Sequence, residues 1–248
     1  MYDADYNSLD NLDSIDSPLD HLDEEEAPIP PDPEEMLQLL SSTSATLRMI
    51  GARAFCEIED ERAIPLLLGL LRDECPLIRV SVAYALGRNP SQQAVELLIS
   101  VLSQDWNGYV RKGIVWTLGN CNDRRALHPL LHALKTDISA VRLWAASSLA
   151  QVAKLDYEDV ITVIPPLIEG LRRDNMAAVR SNCAWSIGQL CRELPSNVVY
   201  ATAVDALIEA LAEDEDLGVK EDARGALLKL GDARGLQMIE ELELEGLI

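Results

Sequence analysis

Asp73-Glu-Cys-Pro-Leu-Ile-Arg79-Val-Ser-Val-Ala83-Tyr-Ala85-Leu-Gly87 is a phrase that this chain repeats. It returns as Asp105…Arg111…Gly119, as Asp137…Arg142…Ala150 and as Asp174…Arg180…Ala184…Gly188. Fainter copies start at Arg48 and end at Lys220. The basic anchors lie 31, 32, 31, 38 and 40 residues apart. Self-similarity at such a period marks a solenoid, whose units stack only on their neighbours. A solenoid is a surface for holding something. Binding is therefore expected before catalysis.

Outward from the phrase, the pattern after Pro33 is helix, turn, helix. It predicts an all-α solenoid over residues 34–248, with six helix pairs. Second helices should start near Leu47, Ile78, Val110, Val141, Val179 and Val219, and a capping helix should span Ala233–Glu245. First helices are Leu-rich and carry prolines: Pro65, Pro129, Pro165 and Pro166. Proline suits a first turn, where its missing N–H has no partner to lose. The Asp closing each first helix is expected to cap the second. The following Arg is expected to pair with an Asp of the adjacent repeat, forming a ladder of exposed and individually weak ion pairs. Small residues after the Arg (Ala83, Ala85, Gly87; Ala145, Ala146, Ser148, Ala150) allow close helix approach.

Net charge is −21, unevenly spread. Residues 1–35 hold 13 of the 42 acids and no base, and the remainder has 29 acids against 21 bases. Nucleic acid is disfavoured, and basic partners are favoured. No apolar run is long enough to span a membrane, and no leader sequence is expected. The five cysteines (Cys56, Cys75, Cys121, Cys183, Cys191) are irregularly spaced. They point to buried thiols in a reducing, cytoplasmic compartment, with Cys121 and Cys191 the more exposed because they end helices. Residues 1–33 read as a disordered acidic tail. Within it Leu9, Leu12, Ile15, Leu19 and Leu22 are each followed by Asp. That stripe is either a solubilising extension or a docking motif that orders on a partner or on the protein's own groove.

The phrases Ile78-Arg79-Val-Ser-Val-Ala83-Tyr-Ala85-Leu86-Gly87 and Val179-Arg180-Ser-Asn-Cys-Ala184-Trp-Ser-Ile-Gly188 resemble HEAT repeats. They are most similar to the short HEAT-like repeats of cyanobacterial phycobilisome-lyase proteins. The resemblance covers about residues 34–246. It implies one of two functions. One is partnership with an IscA-type iron–sulfur assembly protein, which chain size, acidic tail and repeat number favour. The other is bilin attachment to a phycobiliprotein subunit. In either case no cofactor is expected to be bound stably; an iron–sulfur cluster or bilin would come transiently through the partner.

Counting five residues on from each anchor gives Arg53, Tyr84, Trp116, Ser147, Trp185 and Gly225. Trp144 sits one turn earlier on its helix. The ninth position gives Arg88, Asn120, Gln151 and Gln189. If second helices line the concave surface, Tyr84, Arg88, Trp116, Asn120, Trp144, Gln151, Trp185 and Gln189 form a partner-binding groove. The alternative is that the rings pack between repeats as core. His128 and His132 stand at i and i+4, but no third metal ligand is nearby, so a surface or inter-repeat pair is expected. No His is followed by Glu, and no phosphate-cradling Gly loop or Ser-His-Asp set can be assembled. No catalytic or metal site is expected, and enzymatic bilin handling is the sole enzyme reading retained.

Overall fold

A computed structural model describes residues 31–153, 156–192 and 194–247. The tail stripe Leu9, Leu12, Ile15, Leu19 and Leu22 lies outside the described residues. Residues Pro33–Ile248 form one compact unit. Its helices come in pairs: α1 (Pro33–Leu40) with α2 (Ala45–Ala54), α3 (Ala63–Leu70) with α4 (Pro76–Arg88), and α5 (Val95–Gln104) with α6 (Gly108–Asn120). Then follow α7 (Leu127–Thr136) with α8 (Ser139–Ala153), α9 (Tyr157–Arg173) with α10 (Ala177–Cys191), and α11 (Val198–Glu213) with α12 (Leu217–Leu230). A last helix, α13 (Ala233–Leu244), packs on α11 and α12. Its Glu240, Glu241 and Glu243 are exposed, as a capping helix requires. The all-α solenoid of six pairs and a cap is thus the observed fold.

The late lengthening of the period has a simple cause. Helices α9 and α11 have 17 and 16 residues, whereas α3, α5 and α7 have 8, 10 and 10. Pro65 and Pro129 fall in the first turns of α3 and α7, as expected. Pro165 and Pro166 do not. Asp156 caps α9 two turns upstream by accepting from Glu158 N–H, so both prolines lie inside the helix. Two consecutive N–H groups are missing there, and the carbonyls of Ile161 and Thr162 lose their i+4 donors.

Second helices share one apolar stripe. Ile78, Val82 and Leu86 on α4 recur as Val110, Ile114 and Leu118 on α6, then as Val141, Ala145 and Leu149 on α8. Val179, Cys183 and Ile187 continue the stripe on α10, and Val219, Ala223 and Leu227 on α12. All are buried, and i, i+4 spacing keeps them on one face. On the neighbouring face small residues bring successive second helices together. A Cβ on Gly113 would stand 2.8 Å from the Cβ of Ala83. Thr117 donates its hydroxyl to Ala83 O (2.7 Å), and Ser148 donates to Val115 O (3.0 Å), each reaching the preceding repeat.

The Arg–Asp ladder runs the length of the stack. Arg48 pairs with Asp73, Arg79 with Asp105, Arg111 with Asp137, Arg142 with Asp174 and Arg180 with Asp214. The last four pairs are bidentate, at 2.6–3.0 Å. Each of these four arginines also donates to the main-chain carbonyl of its own repeat's Asp, at 2.8–3.0 Å. Lys220 ends the series by donating to Ala212 O. Two expectations are corrected here. The pairs are not exposed: the side chains are only 5–20% accessible. Nor does the Asp cap the second helix. It accepts from the N–H one or two residues on (Cys75, Asn107, Ile138, Met176, Asp216), while its carboxylate spans to the adjacent repeat. Asn107 and Asp216 do the capping of α6 and α12.

Removing one partner of a buried pair strands the other charge, at a cost of about 3–5 kcal/mol. Arg142→Ala should therefore lower stability by about that much. Hydrogen exchange should show the loss concentrated in the fourth and fifth pairs, because coupling is between neighbours.

Burial alone would raise the carboxyls of Asp73, Asp137, Asp174 and Asp214. Guanidinium and main-chain hydrogen bonds outweigh it and hold all four below the usual carboxylate value of about 3.9. A depressed folded-state value means stability that is present above the unfolded value and lost as pH falls through the folded one. Melting temperature should thus be insensitive to these groups above about pH 5 and fall steeply below about pH 4. Arg142→Ala should flatten part of that fall.

Candidate partner-binding groove

Successive second helices pack on one another along the whole stack, more closely than successive first helices do. The more tightly packed side is the inner side of the stack, and the outer faces of α4, α6, α8 and α10 line it. The fifth-position aromatics stand there, with Trp144 one turn earlier on α8. Tyr84, Trp116 and Trp144 are half-buried, and Trp185 is 37% exposed. None of the four rings is fully buried.

Tyr84 and Trp116 meet with ring centroids 5.6 Å apart and planes tilted by 42°. Trp116 lies over Gly87, where a Cβ would stand 2.1 Å from its Cζ3. Its edge opens on a hollow of about 580 Å³, which Arg88, Asn120, Asn122 and Gln151 also line. Asn120 is partly committed, since its Nδ2 donates to Gly87 O at 2.9 Å. Trp144 packs against the core, and the Lys112 ammonium sits 5.6 Å from its ring centroid. Such a contact contributes about 0.5–1 kcal/mol at an exposed site. Trp185 and half-buried Gln189 stand further along on α10, outside the hollow. The structure thus gathers Tyr84, Arg88, Trp116, Asn120 and Gln151, and leaves Trp144, Trp185 and Gln189 spaced along the same succession of helices.

The thiols depart from expectation. Cys121 and Cys191 are buried, and Cys56 and Cys75 are the partly exposed pair. Cys121 is covered by the turn after α4, whose Ser91 O accepts from its thiol at 3.6 Å. Burial pushes the Cys183 and Cys191 thiols up to about 12, so both are protonated at neutral pH and poor ligands. His128 and His132 are exposed on α7. Among the described residues no three His, Cys, Asp or Glu side chains converge as a metal site.

The turns carry a feature that helical periodicity does not mark. Trp106 is 76% exposed, in the turn between α5 and α6, with the Arg79 guanidinium 5.9 Å from its ring centroid. Tyr109, Leu77, Ile138 and Met176 are exposed at the equivalent edge of their repeats. Aligning the turns rather than the helices would have found this row.

The sequence pattern of HEAT repeats matches residues 33–112, 95–163 and 164–245. The chain belongs to the HEAT-repeat family. No curated protein matches this HEAT-repeat chain. Solved structures do. The chain is similar to the complex of CpcE and CpcF of phycocyanin lyase from Nostoc sp. PCC7120, with a TM-score of 0.59 and 23% identity over 88% of this chain and 84% of that one. It is similar to a designed armadillo repeat protein in complex with the peptide (KR)4, with a TM-score of 0.60 and 21% identity over 80% of this chain and 98% of that one. An engineered protein from the Northeast Structural Genomics Consortium has a TM-score of 0.60 and 23% identity, over 81% of this chain and 98% of that one. At these identities the likeness shows the fold. Among the described residues no helix is long and apolar enough to cross a membrane.

Gly87→Ala should force Trp116 off its seat and cost about 1–3 kcal/mol, the range for overpacking. Gly225→Ala, with nothing within 4 Å of the added methyl, should instead stabilise α12 by up to about 1 kcal/mol. Thermal melts read both, and tryptophan emission should shift only in the first.

Proposed function

We propose that this chain is a non-enzymatic scaffold that holds another protein along the inner face of its second helices. The observation that carries this is the row Tyr84, Trp116, Trp144 and Trp185, accessible on elements that a buried ladder fixes in place. Aromatic side chains with polar neighbours are preferred interface anchors, and a rigid face loses little entropy on binding. We propose an IscA-type iron–sulfur assembly protein as the partner. The repeat phrases and the chain's organisation support that choice. The protonated Cys183 and Cys191 thiols agree with it, because any cluster would be ligated by the partner rather than by them. Free thiols fit a reducing cytoplasmic setting.

A second reading is handling of a bilin on a phycobiliprotein subunit. The likeness to the CpcE–CpcF complex favours it at the level of fold. Arg53, Arg88 and Lys112 are cations that propionates would suit.

Coexpression separates the two. Capture of an IscA-type protein supports the first reading; a visible absorption band acquired with a phycobiliprotein subunit and bilin supports the second. Within the first, Trp116→Ala and Trp185→Ala should each weaken capture by about 2 kcal/mol or more, the scale of an interface hot spot. Melting temperature should change much less. Trp106→Ala is the control. If it abolishes capture while the groove variants do not, the binding face is the turn edge and the groove assignment is wrong.

A further inference from the structure

The chain as a whole is acidic, but one half of its inner face is not. Arg53, on α2, occupies the helix position that Tyr84, Trp116 and Trp185 take on α4, α6 and α10. Arg88 lines the hollow beside Trp116, and Lys112 lies over Trp144. Burial pushes the Cys56 thiol up, Glu57 adds to that, and Arg53 and Arg88 oppose it, so both guanidinium groups lie within electrostatic reach of one thiol. None of these three cations is in an ion pair among the described residues. That sets them apart from the ladder arginines, whose charge is already matched inside the stack. The anions nearby are Glu57, Glu59 and Glu61, in the turn that follows α2, with Asp60 held by Arg62; Glu59 also lines the Trp116 hollow, and Glu61 shares a second hollow with Arg88. The other end of the face has the opposite sign. On α12, Glu221 is exposed, and Asp222 accepts a hydrogen bond from the Ser181 hydroxyl, with Lys229 two turns on.

We infer that the α2–α6 half of the groove takes an acidic segment of a partner protein, one whose carboxylates alternate with apolar side chains. This rests on the groove reading and adds the sign of the partner's charge. Arginine forks suit carboxylates, and the rings between them suit leucine-sized groups. The net charge of −21 predicts the reverse preference. Salt decides between the two. At physiological ionic strength the screening length is about 8 Å, so charges in contact outweigh those further away. The whole-chain repulsion should slow association rather than select the bound sequence.

The test uses the full chain and two synthetic peptides of equal length, one alternating leucine with aspartate and one leucine with lysine. Tryptophan emission follows binding, at low and at physiological salt. The aspartate peptide should bind at least about tenfold more tightly than the lysine peptide, a difference of ~1.4 kcal/mol. The double variant R88E/K112E should erase or invert that ratio while its melting temperature stays near that of the parent. Trp116→Ala should weaken the aspartate peptide without changing the preferred sign. Equal or tighter binding of the lysine peptide overturns the inference, and so does a double variant that keeps the original ratio. If Trp116→Ala weakens both peptides and the charge reversal does nothing, the groove stands and only the charge assignment falls. If peptides bind and neither variant matters, the groove reading falls with it.

Discussion

The structure depends on a charge pair that is half in one repeat and half in the next. Each arginine fork holds the carboxylate of the following repeat and the main-chain carbonyl of its own. The rung therefore sets two distances at once: the turn within a pair and the step between pairs. Burial raises the stakes of that arrangement. A stranded Asp174 would cost far more than an exposed pair contributes, so the ladder specifies the register of the stack more than it adds net stability. Trp106 over Arg79 and Ile138 against Gly108 then shield parts of the rungs from water.

A regular step has a consequence for the inner face. Once every second helix is tied to the next by the same rung, residues at equal offsets from the anchor fall into rows. The fifth-position row is aromatic at Tyr84, Trp116 and Trp185, polar at Ser147, cationic at Arg53 and small at Gly225. The packing that creates the rows also limits them. Gly87 is needed under Trp116, and Asn120 gives one amide hydrogen to Gly87 O, so part of the groove chemistry is consumed in building the groove. The accessible remainder is the edges of the rings, Arg88, Gln151 and the far Trp185 and Gln189.

Much of the fold was legible because its contacts are short in sequence. A unit that touches only its neighbours repeats its anchors at the spacing of the contact. That an Arg of one repeat pairs with an Asp of an adjacent one was readable from the spacing; that Arg79 takes Asp105 of the following repeat, 26 residues on, came from the structure. Single-helix expectations fared worse where a helix boundary lay outside the repeated phrase. Pro165 and Pro166 were placed in a first turn because the phrase holds no sign of the extra turns begun at Asp156. Cys121 and Cys191 were expected at open helix ends, but such an end is covered by whatever follows it in space. For Cys121 that is the turn around Ser91, 30 residues earlier. Trp106 lies in a turn, where no helical periodicity marks it.

The sequence by itself determined the class of fold, the number of pairs, the capping helix and the joining of adjacent repeats by an Arg–Asp ladder. All four follow from periodicity, which local sequence carries in full. It also determined which residues share a row on the second helices. Only the tertiary structure decided how deep each of them sits. Depth turned the ladder from surface decoration into a buried register, kept the four rings at the surface, closed off Cys121 and Cys191, and left Arg53, Arg88 and Lys112 outside the ion pairs of the described residues. The physical reason is that position along a helix is set by the chain's own period, whereas burial and charge matching are set by side chains that a neighbouring repeat supplies.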